Sequence, residues 1–317
     1  MPNRGGGNAR SNETEGDLIR AVPLPRVGRK IAAAIVLIVL AGVIIQVALN
    51  PAYQWDTFGA YLFDRRISQG AVITIGLTVI AMAIAIVVGT SLAVMRMSEN
   101  PVLKGVSWLF LWVFRGTPVY VQLVFWGLLT TIYRNISIGV PFGPQWLTID
   151  TSAWLSPFVA AILGLALNQG AYTAEIVRAG IQAVDVGQTE AASALGFSWW
   201  QTTSQIVLPQ AMRFIVPPLG NELIGLLKTT SLVVAIPLTI DLYAVARQIG
   251  GVLYQPIPLL LVASAWYLVI TTLMMIGQHF VERRFSRGVA QRRSARQRRR
   301  LASASIETVD SRSEGNR

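Results

Sequence analysis

Residues 31–49 read IAAAIVLIVLAGVIIQVAL, an apolar run that is broken only by Gln46. A helix needs about 20 mostly apolar residues to cross the hydrocarbon core of a bilayer, so this run predicts a transmembrane helix. The run is longer than the core of a typical signal peptide, and no convincing small-x-small cleavage site follows it. We therefore expect the helix to be retained in the protein and not removed as a signal peptide.

The composition of the whole chain also predicts a membrane protein. Of its 317 residues, 53% are hydrophobic and 14% are charged, whereas an ordinary soluble domain has about 25% charged residues. The connection at 134–154 contains Pro141, Gly143 and Pro144 and is predicted to be an extramembrane loop. Five further spans are predicted near residues 70–95, 105–133, 155–178, 214–240 and 258–280. The expected fold is an all-α, polytopic membrane protein with about six transmembrane helices.

Positive charge is concentrated at the two ends of the chain. The formal net charge is +11, and most of the 27 lysine and arginine residues lie before residue 31 or after residue 282. Cytoplasmic segments beside transmembrane helices carry such an excess, so both termini are predicted to be cytoplasmic. Residues 1–30 and 281–317 are predicted to be disordered basic tails that attract anionic membrane lipid. Neither tail has the interleaved aromatic residues that stack on bases, so nucleic acid is not an expected partner.

Few kinds of catalytic chemistry are compatible with this sequence. The chain has no cysteine and one histidine, His279, which excludes disulfides, thiolate zinc sites and iron–sulfur clusters. No HExxH or GxSxG motif occurs, and no aspartates are paired within the spans. No GxxxxGK[ST] nucleotide-binding loop is present. We expect no metal site, no cofactor bound by this chain and no enzymatic activity.

The segment 187–211, GQTEAASALGFSWWQTTSQIVLPQA, is the most informative extramembrane stretch. The predicted orientation places it in the cytoplasm. Gln188 to Leu195 are good helix formers, Gly196 is expected to break the helix, and Pro209 is expected to stop the stretch that follows. Glu190 is expected in the first turn, where its charge suits the helix dipole. The small and aromatic residues fit either a docking element for another protein or an amphipathic helix on the lipid surface.

This segment resembles the cytoplasmic motif of permease subunits of ATP-binding-cassette importers. The motif combines Glu-Ala-Ala, a glycine and, after a fixed gap, Ile-x-Leu-Pro. In this chain the matching residues are Glu190-Ala191-Ala192, Gly196 and Ile206-Val207-Leu208-Pro209. In that family the first helix of the motif docks into a groove of the ATPase subunit. The resemblance therefore implies coupling to an ATPase through Glu190, Ala191, Ala192, Gly196, Leu208 and Pro209.

Other stretches resemble the polar-amino-acid branch of the family, the histidine/glutamine/glutamate/arginine permeases. They are Arg115-Gly116-Thr117-Pro118 with Gln122, AYTAEIVRAG at 171–180, Gly187-Gln188, LPQA at 208–211 and PPLGNELIGLLKTTSL at 217–232. The similarity covers residues 70–280 and implies a five-helix importer core with a coupling loop at 187–211. The helix at 31–49 and both tails are additions about which the resemblance says nothing.

The resemblance implies a multi-pass permease subunit in the bacterial plasma membrane that forms the pathway for a polar amino acid. Two permease chains, identical or different, would combine with two ATPase subunits that use ATP-Mg, and an extracytoplasmic binding protein would deliver the amino acid. Because no acidic residue is predicted deep in a span, glutamate or glutamine is favoured as the substrate over a cationic amino acid. The alternative is a gradient-driven secondary transporter or channel, which would need membrane-embedded acidic residues for ion coupling.

Polar residues inside the predicted spans are candidates for the substrate pathway: Lys228, Asn168, Gln169, Tyr172 and Gln122. Lys228 is predicted about half-way along an apolar run, where insertion costs about 2.5–3.5 kcal/mol. We expect Lys228 to meet a substrate carboxylate, to pair with Glu222 or Glu175, or to lie close enough to the cytoplasm to meet the ATPase or lipid. Structural roles are predicted for Arg115, Gly116, Thr117 and Pro118, which interrupt a span, and for Glu175 and Arg178, which are spaced to pair on one helix face.

Overall fold

The computed structural model describes residues 27–140, 143 and 145–286. Most of the two predicted tails, residues 1–26 and 287–317, lies outside the described residues. Helix α1 spans Val27–Leu49 and belongs to a unit of its own that ends at Pro51. Its apolar side chains are exposed nearly throughout, as expected of a helix whose solvent is lipid.

The second unit begins at Ala52 and is almost entirely helical in its described part. Its elements are α2 (Trp55–Leu62), α3 (Arg65–Met97), α4 (Pro101–Gly116), α5 (Val119–Ile132), β1 (Asn135–Gly139), β2 (Gln145–Asp150), α6 (Thr151–Trp154), α7 (Pro157–Gln182), α8 (Val186–Ala194), α9 (Trp199–Gln201), α10 (Leu208–Thr229), α11 (Leu242–Val252) and α12 (Pro256–Ser286). A π-helical turn at Thr202–Val207 joins α9 to α10, and a 3₁₀ turn at Thr230–Ala235 follows α10.

Several helices are long and apolar enough to cross a membrane. In the described part of the chain they are Gly28–Leu49, Arg65–Met97 and Pro256–Phe285, and the pair α4 and α5 is a fourth if it counts as one broken span. Helices α7 and α10 have 26 and 22 residues but are interrupted by polar side chains. Such helices must turn their polar residues towards protein or water. The predicted helical membrane fold is confirmed.

Three predicted segments differ in detail from the structure. The span predicted at 105–133 is two helices that meet at an angle of 105°. The α-helix predicted to reach residue 240 ends at Thr229, because the chain tightens into the 3₁₀ turn. The loop at 134–154 contains an antiparallel hairpin in which Ile136 pairs with Ile149. The hairpin is explained by its β-branched residues, which suit a strand although the segment is short.

The core lies where α3, α7 and α10 pack together. Leu77, Leu165 and Leu226 are among its buried residues, one from each of these helices. Helices α3 and α7 approach closely at Gly89, because a Cβ atom there would lie 2.6 Å from Thr173 and 2.8 Å from the carbonyl oxygen of Gly170. This packing fixes α7, which carries several of the predicted pathway residues.

Candidate functional site: a polar cavity and an exposed loop

The break between α4 and α5 forms one wall of the site. Thr117 has extended backbone angles, φ −117° and ψ 146°, as is usual for a residue that precedes proline. Pro118 then caps α5. The turn Arg115-Gly116-Thr117-Pro118 therefore interrupts the predicted span, as expected from its sequence.

A buried amide network holds this break in place. Gln122 Nε2 donates to the carbonyl oxygen of Phe114 at 3.0 Å and to Thr117 Oγ1 at 2.8 Å. Asn168 Nδ2, from α7, donates to the same Phe114 oxygen at 3.0 Å and to Gln122 Oε1 at 3.1 Å. The last carbonyls of a helix lack partners within it, and these two amides supply them. Gln122, which was predicted as a pathway residue, thus bonds to the backbone and side chain at the break between α4 and α5.

A cavity of about 520 Å³, which we call the first cavity, opens beside the break. It is lined by Arg115, Gly116, Thr117, Pro118, Val119, Leu165, Asn168, Gln169, Tyr172, Glu222, Gly225, Leu226 and Thr229. The structure thus brings together three of the predicted pathway residues, Asn168, Gln169 and Tyr172, with the predicted structural turn.

Glu222 is a lining residue that the sequence reasoning did not assign to the pathway. Its Oε2 accepts a hydrogen bond of 2.9 Å from Gln169 Nε2. The predicted span began at residue 214, which put Glu222 near a helix end. Helix α10 runs from Leu208 to Thr229, so Glu222 lies about two turns before its C-terminal end, and its side chain lines the first cavity. A carboxylate in a polar cavity is suited to a cation.

Lys228 is not among the residues that line the first cavity. It lies exposed in the last turn of α10, and the 3₁₀ turn at Thr230–Ala235 follows. Among the described residues, the salt bridges found do not join Lys228 to Glu222 or Glu175. The position has a physical reason, because a cation is favoured near the carbonyl end of a helix.

A charged cluster lies next to the first cavity, towards the end of α7. Arg178 Nη2 and Nε donate to Glu175 Oε2 at 2.5 and 3.0 Å, as the i, i+3 spacing predicted. Arg115 Nη1 lies 3.6 Å from Glu175 Oε1, and the Arg115 guanidinium carbon lies 5.5 Å from the centre of the Tyr172 ring. Glu175 therefore joins the broken span to α7.

The exposed loop after α7 begins with a short capped helix. Asp185 caps α8, its side chain accepting from the Gly187 amide at 2.9 Å. Glu190 was predicted to lie in the first turn of the helix. Helix α8 begins at Val186, so Glu190 lies in the second turn instead. Ala192 is 2% exposed and packs inside the chain. Of the predicted coupling residues in this helix, Glu190 and Ala191 are the ones that a partner can reach.

Gly196 ends α8 in a left-handed conformation, with φ +78°. The Gly196 amide donates to the Ser193 carbonyl at 3.0 Å, and the Phe197 amide donates to the Ala192 carbonyl at 3.1 Å. This is the Schellman arrangement, in which glycine carries no penalty for a positive φ. The predicted break at Gly196 is thus a helix cap with a defined geometry.

Pro209 does not stop a helix, contrary to the prediction. It lies in the first turn of α10, directly after the π-helical turn, where the missing amide proton of proline is tolerated. Gln210 Nε2 donates to the Ile206 carbonyl at 2.9 Å and lies 3.4 Å from Gln188 Oε1 of α8. The start of α10 is therefore tied to the exposed loop.

Large apolar side chains cover the surface beside α8. Leu195, Trp199 and Trp200 are 77%, 73% and 69% exposed. Their exposure fits both interpretations of the loop, a docking surface for a protein or a helix on lipid. Among the residues that the structure describes, no group of three or more His, Asp or Glu side chains is arranged to hold a metal ion.

Comparison with known proteins identifies the context of this site. A family described as "binding-protein-dependent transport system inner membrane component" matches residues 81–287. Over 287 residues, 90% of this chain and 89% of the relative, the sequence is 53% identical to the arginine transport system permease protein ArgU of Corynebacterium glutamicum. It is 35% identical to the histidine/lysine/arginine/ornithine transport system permease protein HisM of Escherichia coli K12, over 65% of this chain and 83% of that protein.

A solved structure is similar as well. The crystal structure of an amino acid ABC transporter with histidines has a chain that is 34% identical to this one, with a TM-score of 0.58. The match covers 69% of this chain and 94% of that chain.

Proposed function

The chain belongs to the family of inner membrane components of binding-protein-dependent transport systems, and from this premise we propose that it forms the membrane pathway for a cationic amino acid, arginine. It is an amino-acid importer permease, and in its family the ATPase is a separate subunit. The chain therefore carries no cofactor in this proposal, and ATP-Mg is used by the partner.

The observation that carries the substrate proposal is the carboxylate of Glu222 in the first cavity. It faces the cavity beside Gln169, which donates to it at 2.9 Å. Glutamate and glutamine were favoured because no acidic residue was predicted deep in a span, and Glu222 removes that reason. The relative that is 53% identical is an arginine transport system permease protein, which supports the same choice. In this proposal Glu222 binds the side-chain cation, while the amides of Asn168 and Gln169 bind other polar groups of the substrate.

The second part of the proposal concerns the exposed loop. We assign docking of the ATPase to α8 and the residues around it, with Glu190 and Ala191 at the contact and Gly196 holding the end of the helix. Leu208 and Pro209 shape the entry to α10. Movement of α8 would reach the cavity through α7 on one side and through Gln210 and α10 on the other. The gradient-driven transporter remains the alternative that the experiment below also tests.

The remaining partners follow from the family. A binding protein outside the membrane would deliver the amino acid, and a second permease chain, identical or related, would complete the pathway. We infer that both termini are cytoplasmic, because the basic tails flank the spans. This orientation puts α8 on the same side as the ATPase.

The proposal is tested by uptake of radiolabelled arginine in a host strain that lacks this permease. The wild-type gene should restore uptake, and Glu222→Gln should reduce uptake at a subsaturating arginine concentration by about tenfold or more. A hydrogen bond to a charged group contributes about 1.5–3 kcal/mol, and 1.4 kcal/mol corresponds to about tenfold. Glu222→Asp keeps the charge and should retain more transport than Glu222→Gln.

Glu99→Gln is the matched control, since Glu99 is exposed in the turn before α4, outside the first cavity. It should transport like the wild type. Uptake of glutamate or glutamine that depends on this chain, with no dependence for arginine, would contradict the substrate proposal. Arginine uptake that survives loss of the ATPase would favour the gradient-driven alternative.

A further inference from the structure

A second cavity lies next to the first, one helical turn further along α7 in the direction of α8. Its volume is about 440 Å³, and it is lined by Arg96, Trp108, Leu111, Trp112, Arg115, Gly116, Tyr172 and Glu175. Three residues, Arg115, Gly116 and Tyr172, line both cavities. The two cavities are therefore neighbours with one shared wall.

In the shared wall the guanidinium of Arg115 lies over the ring of Tyr172, and it is paired with Glu175, which lines the second cavity. The Arg115 guanidinium lies 5.5 Å from the Tyr172 ring centre, and its Nη1 lies 3.6 Å from Glu175 Oε1. A cation above an aromatic ring is attracted by the negative face of the ring. Tyr172 and Glu175 thus form a site for a cation, and in the structure a side chain of the protein itself occupies that site.

Arg115 is held in this site less firmly than its neighbour Arg178. Arg178 donates twice to Glu175 Oε2 and once to Gln182 Oε1 at 2.7 Å. Arg115 has one longer contact to Glu175, and its side chain is 44% exposed. It lies beside Gly116, whose Cβ position has no atom within 4 Å. Arg115 borders both cavities, so there is room for it to leave while Arg178 keeps Glu175 in position.

From these observations we propose that Tyr172 and Glu175 form a second binding station for the cationic side chain of the substrate, which Arg115 occupies when no substrate is present. The proposal rests on the proposed function, in which the substrate is a cationic amino acid that enters through the first cavity. The substrate side chain replaces Arg115 beside Glu175, and the released guanidinium pairs with the substrate carboxylate. Arg115 therefore acts as a gate that a cation with a carboxylate opens.

The exchange keeps the number of ion pairs constant. Before the exchange, Arg115 is paired with Glu175 and the substrate cation is paired with Glu222. After the exchange, the substrate cation is paired with Glu175 and Arg115 is paired with the substrate carboxylate. Arg96 also lines the second cavity, and the salt bridges found in the described part of the chain do not include it. It adds a positive charge for the carboxylate. A neutral amino acid has no side-chain cation to place at Tyr172 and Glu175.

Protection of single cysteines from alkylation tests the station. The natural chain has no cysteine, so a cysteine that is introduced is its only thiol. Thr229→Cys reports on the first cavity alone, and Trp112→Cys reports on the second alone. Intact cells that contain the complete importer are treated with a small neutral methanethiosulfonate, with and without arginine, and thiols left unmodified are counted by gel shift of the tagged chain.

We expect arginine to slow modification at both reporter positions. At a free concentration about ten times the Kd, about a tenth of the sites stay open, so the rate falls by about tenfold. Glu175→Gln should abolish protection at position 112 and keep it at position 229, which also demonstrates that this variant is folded. Trp108→Cys is a second reporter for the second cavity, and Glu99→Cys, outside both cavities, should be modified at the same rate with and without arginine.

The outcomes separate this proposal from the one on which it rests. Protection at position 229 without protection at positions 112 and 108 would overturn the second station and leave the first cavity intact. Unchanged protection at position 112 in Glu175→Gln would also overturn it. Protection at no reporter position would overturn both the station and the assignment of the first cavity to the substrate.

Discussion

The close approach of α3 to α7 gives a prediction whose size follows from the geometry. Gly89 lies on α3, and in Gly89→Ala the new Cβ would be 2.6 Å from Cβ and Cγ2 of Thr173. Thr173 is fully buried, and the Gly170 carbonyl oxygen, 2.8 Å away, belongs to the backbone. Neither neighbour can move without shifting α7, so the two helices must separate.

Added atoms in a packed core cost about 1–3 kcal/mol, and alanine regains at most about 1 kcal/mol of helix propensity over glycine. We expect Gly89→Ala to lower the free energy of unfolding by about 1–2 kcal/mol. The matched control is Gly76→Ala on the same helix, where no atom lies within 4 Å of the Cβ position. This control should be as stable as the wild type or slightly more stable.

The assay is thermal unfolding of the purified protein in mild detergent, with arginine uptake in cells as a second readout. Because Thr173 follows Tyr172 on α7, a shift of α7 should reduce uptake in Gly89→Ala and not in Gly76→Ala. Equal midpoints for the two variants would refute the close packing of α3 on α7 described above.

Three further predictions concern the loop, the helix break and a buried acid. Gly196→Ala should destabilise the exposed loop by about 1–2 kcal/mol, because φ at this position is +78°. Faster proteolysis after Trp200 would report this loss of stability, and unchanged proteolysis would contradict the role of Gly196 as a helix cap. Gln122→Leu should cost about 1–3 kcal/mol in thermal unfolding, because it removes one of the two donors to the Phe114 carbonyl oxygen, the donor to Thr117 Oγ1 and the acceptor of an Asn168 N–H; a neutral effect would contradict the network. Burial raises the pKa of the Asp241 carboxyl, in the connection before α11, above its ordinary value of 3.8. The protonated carboxyl therefore contributes to the free energy of unfolding below pH 3.8, and this contribution is lost as the pH rises through the folded-state pKa. Asp241→Asn keeps a capping side chain for α11 and should flatten the dependence of the unfolding midpoint on pH; an unchanged slope would contradict the assignment.

Long apolar helices and local motifs were predictable from the sequence. Helices α3, α7 and α12 lie close to the predicted spans, because apolar runs of this length have few other stable forms in lipid. The resemblance at Glu190 to Pro209 identified the family, which the matched family confirms. These features depend on neighbouring residues in the chain, which a sequence displays directly.

Features set by tertiary contacts were not predictable in the same way. The 105° angle between α4 and α5 could not be predicted, and the break is held by Asn168, which is distant in sequence. The place of Glu222 in the first cavity and the exposed position of Lys228 both depend on how α10 packs and where it ends. Pro209 was predicted to stop a helix. The helix continues there, because a proline in the first turn needs no amide partner.

The most direct measurement is recovery of the ATPase with this chain. The tagged protein is extracted from its native membrane in mild detergent, beside Ala191→Arg and the control Gln145→Arg. Ala191 is exposed on α8, and arginine is a good helix former, so the change alters the surface of α8 and leaves the Gly196 cap intact. Gln145 lies in the hairpin between α5 and α6, outside the exposed loop that contains α8.

We expect an ATP-binding-cassette ATPase to copurify with the wild type and with Gln145→Arg, and to be lost with Ala191→Arg. If no ATPase is recovered with the wild type, even after crosslinking, the loop is a helix on the lipid surface, and the importer mechanism proposed for this chain is contradicted.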